Sequence, residues 1–549
     1  MHFKIKTIRG IKYLYIIKNE RVNGKVVQTI QKSIGSADKI YELLTSTKPA
    51  HIASYSFGKP AAFLKAAEEV GLIDSLNKHI DRKNIDGLTP AEYLLLIIIG
   101  RSEHAHSRNV LDEYFNKSSL QFVWNPKHKL SSQNFLNYMR KLDEETIKKI
   151  ELDISRTLIK KGIKPTRLVF DTTNFYTHIE HGENLPQKSH SKEKRYDKNL
   201  VGIGLIASDH DIPFQSITYP ANVSDSDLFP GMIDSICERL QNIDIPAEDM
   251  TIIFDRGMNS TPNIEKALDK MHVVGSLPSS MCKELFSIPV SNFDVTWKNG
   301  NEHTIRAHLV TGNWYNKNLV GSIRYNEITK RKQMREWDNN KPKILEKVED
   351  IKSKLNREGK GRKLTEKGLM NRIVDAVPKQ YRGLFDYSVV KVEGKLQMEF
   401  KLIETRENEF IQGMGKTVIF TDIKNLTARQ ISDMYDARNR IETDIKWLKD
   451  KLLIPLKPIY VRKDGNIRAH VFLCVMGLLL YNYLLHEVND TSLSIKKLAE
   501  YLDLMRLGLL YNDKTILKCK KNAQFVIEEM GKKTAEIFGK LQLGMFIPN

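Results

Sequence analysis

Residues 1 to about 45 alternate apolar and polar side chains. Within them, "IKYLYIIKNERVNGKVVQTIQKSIG" sets Asn23-Gly24 between two strand-like runs, which predicts a β-hairpin. From about 46 to 160 the period lengthens. "PAAFLKAAEEVGLIDSLNKHI", "TPAEYLLLIIIGRSEHAHSRNVLDEYF" and "DEETIKKIELDISRTLIKKG" carry apolar residues three and four apart, predicting a small helical domain over 46–160 with a basic surface, a surface suited to DNA binding. The pattern then changes to strands. "RLVFD", "NLVGIGLIAS" and "IPFQSITYP" are followed by a helix over "SDLFPGMIDSICERLQNI" and a further buried strand, "MTIIFD". Strand, strand, strand, helix, strand predicts a mixed α/β sheet, with a first part at 161–285.

Between 286 and 414 the pattern is less regular. "FDVTWKNGNEHTIRAHLVTGNWYN" and "DYSVVKVEGKLQMEFKLIE" alternate like strands. Between them, "KPKILEKVEDIKSKLN" aligns Ile344, Val348, Ile351 and Leu355 on one helical face. A structureless loop of that length is uncommon in a compact domain, so the stretch predicts an inserted, mainly β domain. "KTVIFTD" resumes the sheet at 415–485, and 486–549 is expected to be a C-terminal helical region.

A chain of 549 residues, 41% of them apolar, is long enough for several cores. Its formal charge of +19 favours a polyanionic partner, nucleic acid before an acidic membrane surface. The apolar run Tyr93 to Gly100 is too short to span a bilayer, and the charged start reads as strand rather than signal peptide. Cys237, Cys282, Cys474 and Cys519 form no C-x-x-C pair, which predicts reduced thiols in a cytoplasmic protein. His178, His181 and His190 have no standard zinc spacing.

Asp171 and Asp255 each close an apolar strand run, the end of an α/β sheet where functional groups gather. Two neighbouring carboxylates repel unless a cation joins them, and hard oxygen ligands suit Mg²⁺ or Mn²⁺. Either aspartate is equally at home as a turn former or helix cap. A third acid comes from "YDARNRIETDIKWLKDK". At about 100° per residue, Tyr435, Arg438, Glu442 and Lys449 fall within a stripe about 60° wide. Met434, Ile441, Ile445, Leu448 and Leu452 fill the adjoining face. A stripe of a carboxylate flanked by cations and a phenol suits a phosphate backbone. The plainer alternative is a solvated face with an Arg438–Glu442 pair.

The spacing Y-x2-R-x3-E-x6-K at Tyr435, Arg438, Glu442 and Lys449 resembles the signature of DDE insertion-sequence transposases of the superfamily that cuts and pastes through DNA hairpins. "LVFDTTNFY" and "IIFDRGM" are similar to its two aspartate motifs. "YPANVSDSDLF" is similar to its Pro-Gly-Asn-x-Ser-Asp segment, with Ala221 in place of the glycine. The resemblance extends from about residue 10 to 500. It implies an RNase H-like fold whose Asp171, Asp255 and Glu442 hold two Mg²⁺ ions, or Mn²⁺, for cleavage and strand transfer. It further implies double-stranded DNA as partner, both transposon ends and target, and a homodimer in the synaptic complex of a prokaryotic, nucleoid-associated protein. Tyr435, Arg438 and Lys449 are then expected to contact the transposon end, with Lys192, Lys194, Arg195 and Arg256 as further DNA contacts. Hairpin excision needs an aromatic platform for a flipped base, for which Trp314 and Trp297 are the candidates. "KRKQMREW" and "KGRK" are basic runs that could face DNA or solvent. Alternatives are a fold-related DNA-binding protein without transposition activity, an RNase H-like nuclease, and a glycosidase with paired carboxylates. The last explains neither the charge nor the stripe.

Overall fold

The structure, a computed structural model, describes residues 2–22, 25–36, 38, 40, 51–81, 87–103, 107–124, 126–300, 302–355, 365–392, 395–451, 453–511 and 524–548. The Asn23-Gly24 turn, Leu452, "KGRK" and Cys519 lie outside the described residues. The chain divides into two units, Met1–Lys65 with Val110–Leu130 and Glu487–Asn549, and Ala66–Asn109 with Ser131–His486. The helical stretch 46–160 is therefore shared between two units.

In the first unit, β1 (His2–Ile8), β2 (Ile11–Val22) and β3 (Lys25–Ser36) form an antiparallel sheet, one strand more than the expected hairpin. β4 (His51–Ser56) pairs with Arg506–Tyr511, which pairs in turn with Gln524–Ile527. The C-terminal region is thus not purely helical. Leu507 and Leu509 alternate on one buried face there, a period of two that makes a strand rather than a helix.

The second unit contains the large sheet. β5 (Arg167–Thr177), β6 (Asn199–Ser208) and β7 (Pro213–Pro220) form an antiparallel meander. β8 (Thr251–Phe254) and β9 (His272–Ser276) lie parallel to β5 on its other side. All four side chains of β8 are buried, as expected of a central strand covered on both faces. Phe170, Phe229, Phe254, Val273 and Phe420 belong to one hydrophobic core around this sheet.

The stretch 286–414 is not a separate β domain. β10 (Val295–Lys298), β11 (Thr304–Trp314) and β12 (Lys317–Asn326) extend the same sheet, through β15 (Lys416–Thr421), to β9. The nine-strand order is β10-β11-β12-β15-β9-β8-β5-β6-β7. Only the part between β12 and β15 leaves it. That excursion is mostly helical, with Glu327–Ser353, Glu366–Ala376 and Glu404–Gly413 beside one hairpin, β13 (Phe385–Val392) and β14 (Lys395–Leu402). Trp337 anchors its own small core with Tyr381, Leu384 and Phe385.

The helix Asp464–Val488 is long and apolar enough to cross a membrane by length and composition, but 83% of its most apolar window is buried inside the protein. That is how a core helix packs.

Candidate active site

The strand register builds the site. Phe170 of β5 faces Phe254 of β8, and the next residue on each is an aspartate, Asp171 and Asp255. Adjacent strands lie about 4.8 Å apart, so the two carboxyl groups start from neighbouring positions. β5 does not end at Asp171. It runs on to Thr177, paired there only with β6, while β8 stops at Phe254. The polar group thus appears where the parallel pairing is lost. Asp171 Oδ1 accepts from the Thr172 backbone N–H at 2.8 Å, and Asp255 Oδ1 from that of Arg256 at 2.8 Å.

The signature segment supplies the third acid. It is two helices, Ala428–Asp436 and Arg438–Trp447, separated at Ala437, rather than one. A capping box between Thr427 and Gln430 opens the first. Ile441, Ile445 and Leu448 are buried, as the apolar face required, and Met434 is half-buried. Lys449 lies just beyond the second helix.

Arg438 stands at the centre. Its Nη1 donates to Asp255 Oδ1 at 2.5 Å and to the Tyr435 hydroxyl at 2.6 Å, and its Nη2 donates to Glu442 Oε1. One guanidinium therefore links two of the three acids. Burial alone would ease its proton off, but Tyr435, Glu442 and Asp255 outweigh that and raise its pKa. Burial pushes the Asp171 carboxyl up to about 6, against the opposing pull of the Thr172 N–H, Lys192 and Arg438; Glu442 pushes it further up. Asp171 thus shares its electrostatic environment with the helix that carries Glu442.

The three carboxylates are hard oxygen donors, the type that Mg²⁺ and Mn²⁺ prefer. Among the described residues no three His, Cys, Asp or Glu side chains are grouped as a metal cage. A cation nonetheless sits between Asp255 and Glu442, and it is the Arg438 guanidinium. The donor set fits a divalent ion once that guanidinium gives way.

Tyr435 is buried, with Arg324 at 5.7 Å and Arg438 at 5.1 Å from its ring centre. Lys449 Nζ donates to Thr173 Oγ1 at 2.5 Å, on the strand of Asp171. Lys192 Nζ donates to the Thr172 carbonyl at 2.7 Å. Arg195 pairs with Asp197 and lies over the Tyr176 ring, while Lys194 and Arg256 are exposed.

The two tryptophans are placed otherwise than expected. Trp314 is only 7% exposed, and a Cβ on Gly312 or Gly321 would meet its ring at 2.6 and 3.0 Å. Trp297 is buried with Ile305, Ala307 and Ala428. Both indoles are occupied by core packing, so neither is a stacking platform here. Strand alternation put them on the inner face, which their turn-rich sequence context concealed.

Three residues escaped the sequence reading. Glu193 and Lys457 pair beside Lys449. Asp225 opens the helix Asp225–Gln241, whose N-cap is Ser224, and it shares hydrogen bonding with Tyr219, which also meets Thr172. Asp225 stood inside the quoted "YPANVSDSDLF"; the other two carry no local signal, because loop and strand meet only in three dimensions.

A family model described as a transposase DDE domain matches residues 163–480, more than half of the chain and all of the site just described. The chain belongs to this family. The sheet agrees with the RNase H-like fold of a DDE transposase: a three-stranded meander, with two more strands parallel to its first. No curated protein matches the chain. As a member of the DDE transposase family, the protein is a DNA-acting one whose relatives generally use divalent metal ions.

Proposed function

We propose that the protein cleaves the ends of a transposable element and joins the freed 3′-hydroxyls to target DNA, working as a dimer on two ends. The observation that carries this reading is the meeting of Asp255 and Glu442 on one guanidinium, with Asp171 one strand away in register. Asp171, Asp255 and Glu442 would hold Mg²⁺, with Mn²⁺ as a substitute. Two bound ions would supply Lewis acidity to the attacking oxygen and the leaving oxygen of an in-line displacement.

The chain's own residues do the rest. Arg438 keeps Asp255 and Glu442 converged without a metal and then turns its fork to a phosphate, which it can grip in a bidentate manner. Tyr435 fixes the guanidinium by accepting from it. Lys449 and Lys192, tied to Thr173 and Thr172, set positive charge along the strand that carries Asp171. Arg256 and Lys194 extend that charge at the exposed surface. The net charge of +19 supports a polyanion as the substrate.

The test uses duplexes made from the DNA that flanks the gene. The full chain with MgCl₂ should nick these duplexes at a fixed position and then join the 3′ ends to a second duplex. Absence of any nick with either MgCl₂ or MnCl₂, while binding persists, would favour the reading of a DNA-binding relative without transposition activity.

A further inference from the structure

The loop between β5 and β6 folds back over the strand end. Asn174 Nδ2 donates to the His190 carbonyl at 2.9 Å, and the Lys192 N–H donates to Asn174 Oδ1 at 3.1 Å. This turns Glu193 inward. Lys457 Nζ donates to Glu193 Oε2 at 2.6 Å, and Lys449 Nζ stands 4.0 Å from its Oε1. Two ammonium groups from separate segments, Lys449 and Lys457, thus face a single loop carboxylate, and the charge of Lys192, held on Thr172, acts on Lys449 from the side. Lys457 also lies 4.0 Å from the centre of the Tyr176 ring, and Arg195 lies 4.7 Å from it.

The balance of charge is uneven. Burial lowers the Lys449 pKa, Glu193 raises it, Lys192 and Lys457 lower it, and Asp171 raises it. Lys192 and Lys457 both repel Lys449, and Glu193 with Asp171 only partly offsets them. A plain tether would need one lysine. Two lysines on one loop carboxylate, with the Lys192 ammonium close enough to repel Lys449, make a site for an oxyanion.

We propose that Lys192, Lys449 and Lys457 form a phosphodiester-binding site whose phosphate position is held by Glu193 in the DNA-free protein. The inference rests on the DNA reading above and adds to it a specific site and an internal competitor. DNA arriving at the active site must displace Glu193, so the loop acts as an electrostatic gate on binding.

The test measures the anisotropy of a short fluorescein-labelled duplex of arbitrary sequence, titrated with full-length protein in EDTA over a range of KCl. Glu193→Gln is expected to bind about threefold to tenfold more tightly at low salt, with a log–log salt slope steeper by about 0.9. Lys457→Ala is expected to bind more weakly with a slope shallower by about 0.9, and Lys457→Arg to restore binding. Melting curves accompany each variant. If Glu193→Gln melts early, Lys457→Ala decides the matter: wild-type affinity there overturns the site. Unchanged or weaker binding by a well-folded Glu193→Gln overturns the competitor. Failure of the wild type to bind any duplex sinks the DNA reading itself; wild-type binding with unaltered variants sinks only the lysine site.

Discussion

Arg438 Nη1 lies 2.5 Å from Asp255 Oδ1, joining the signature helix to a strand end 183 residues earlier in the chain. The same side chain holds Glu442, so the acidic centre is already neutralised in part by its own polypeptide.

Replacing Arg438 with Gln should therefore expose a repulsion. In EDTA the variant should lose about 1 kcal/mol, since both acids are near half exposed and solvent screens them. Added MgCl₂ should then raise its melting temperature more than that of the wild type. Equal shifts in the two proteins would show that the guanidinium and the metal do not share a place.

Asp171→Asn, Asp255→Asn and Glu442→Gln should each lower strand cleavage by about a hundredfold to a thousandfold or more, because each lost carboxylate would loosen the hold on the ions that stabilise the reacting oxygens. Duplex binding should survive in all three. Cleavage at the wild-type rate by any one would remove that residue from the metal set.

Trp314→Ala should destabilise the fold by about 3–5 kcal/mol by opening a cavity in the core. The deficit should appear in urea melts rather than as a selective loss of hairpin excision. A well-folded Trp314→Ala that binds DNA but stalls at the hairpin would restore the stacking role.

The acid limb of stability should carry His470. Burial, then Arg101, lowers its pKa to about 3, while its Nε2 donates to the Leu456 carbonyl at 2.9 Å. The unfolded chain takes up a proton near its ordinary value of about 6.5, and the folded chain resists until about 3. Its stabilising contribution is complete above about pH 6.5 and drains away as pH falls toward 3, by on the order of 3–5 kcal/mol. Urea midpoints of His470→Gln across this window should fall less steeply than those of the wild type.

In the signature segment spacing made the Arg438–Glu442 pair legible, the contact that the plainer reading of a charged helix face expected, but not the break at Ala437 that divides the segment into two helices. Asp171 and Asp255 were legible because a polar residue after an apolar run is conspicuous, although β5 continues past Asp171. What stayed hidden depended on pairing between distant strands. Alternation in β10 to β12 announced strands without saying which sheet they join, so 286–326 looked like part of a separate domain. The inward turn of Trp297 and Trp314 and the Glu193–Lys457 contact are hidden for the same reason.

Asn326 closes β12, and its N–H donates to the Gly415 carbonyl at 2.9 Å, just before β15 begins. Gly415 has φ of 77°, and a Cβ there would meet the Asn326 carbonyl at 2.8 Å, so only glycine allows the chain to pass so close. Departure and return points of the excursion are thus stitched together like the neck of a purse. Cutting the excursion out and bridging the neck by a tight turn should therefore leave the catalytic strands in register, at the cost of the contact between its last helix and Phe286.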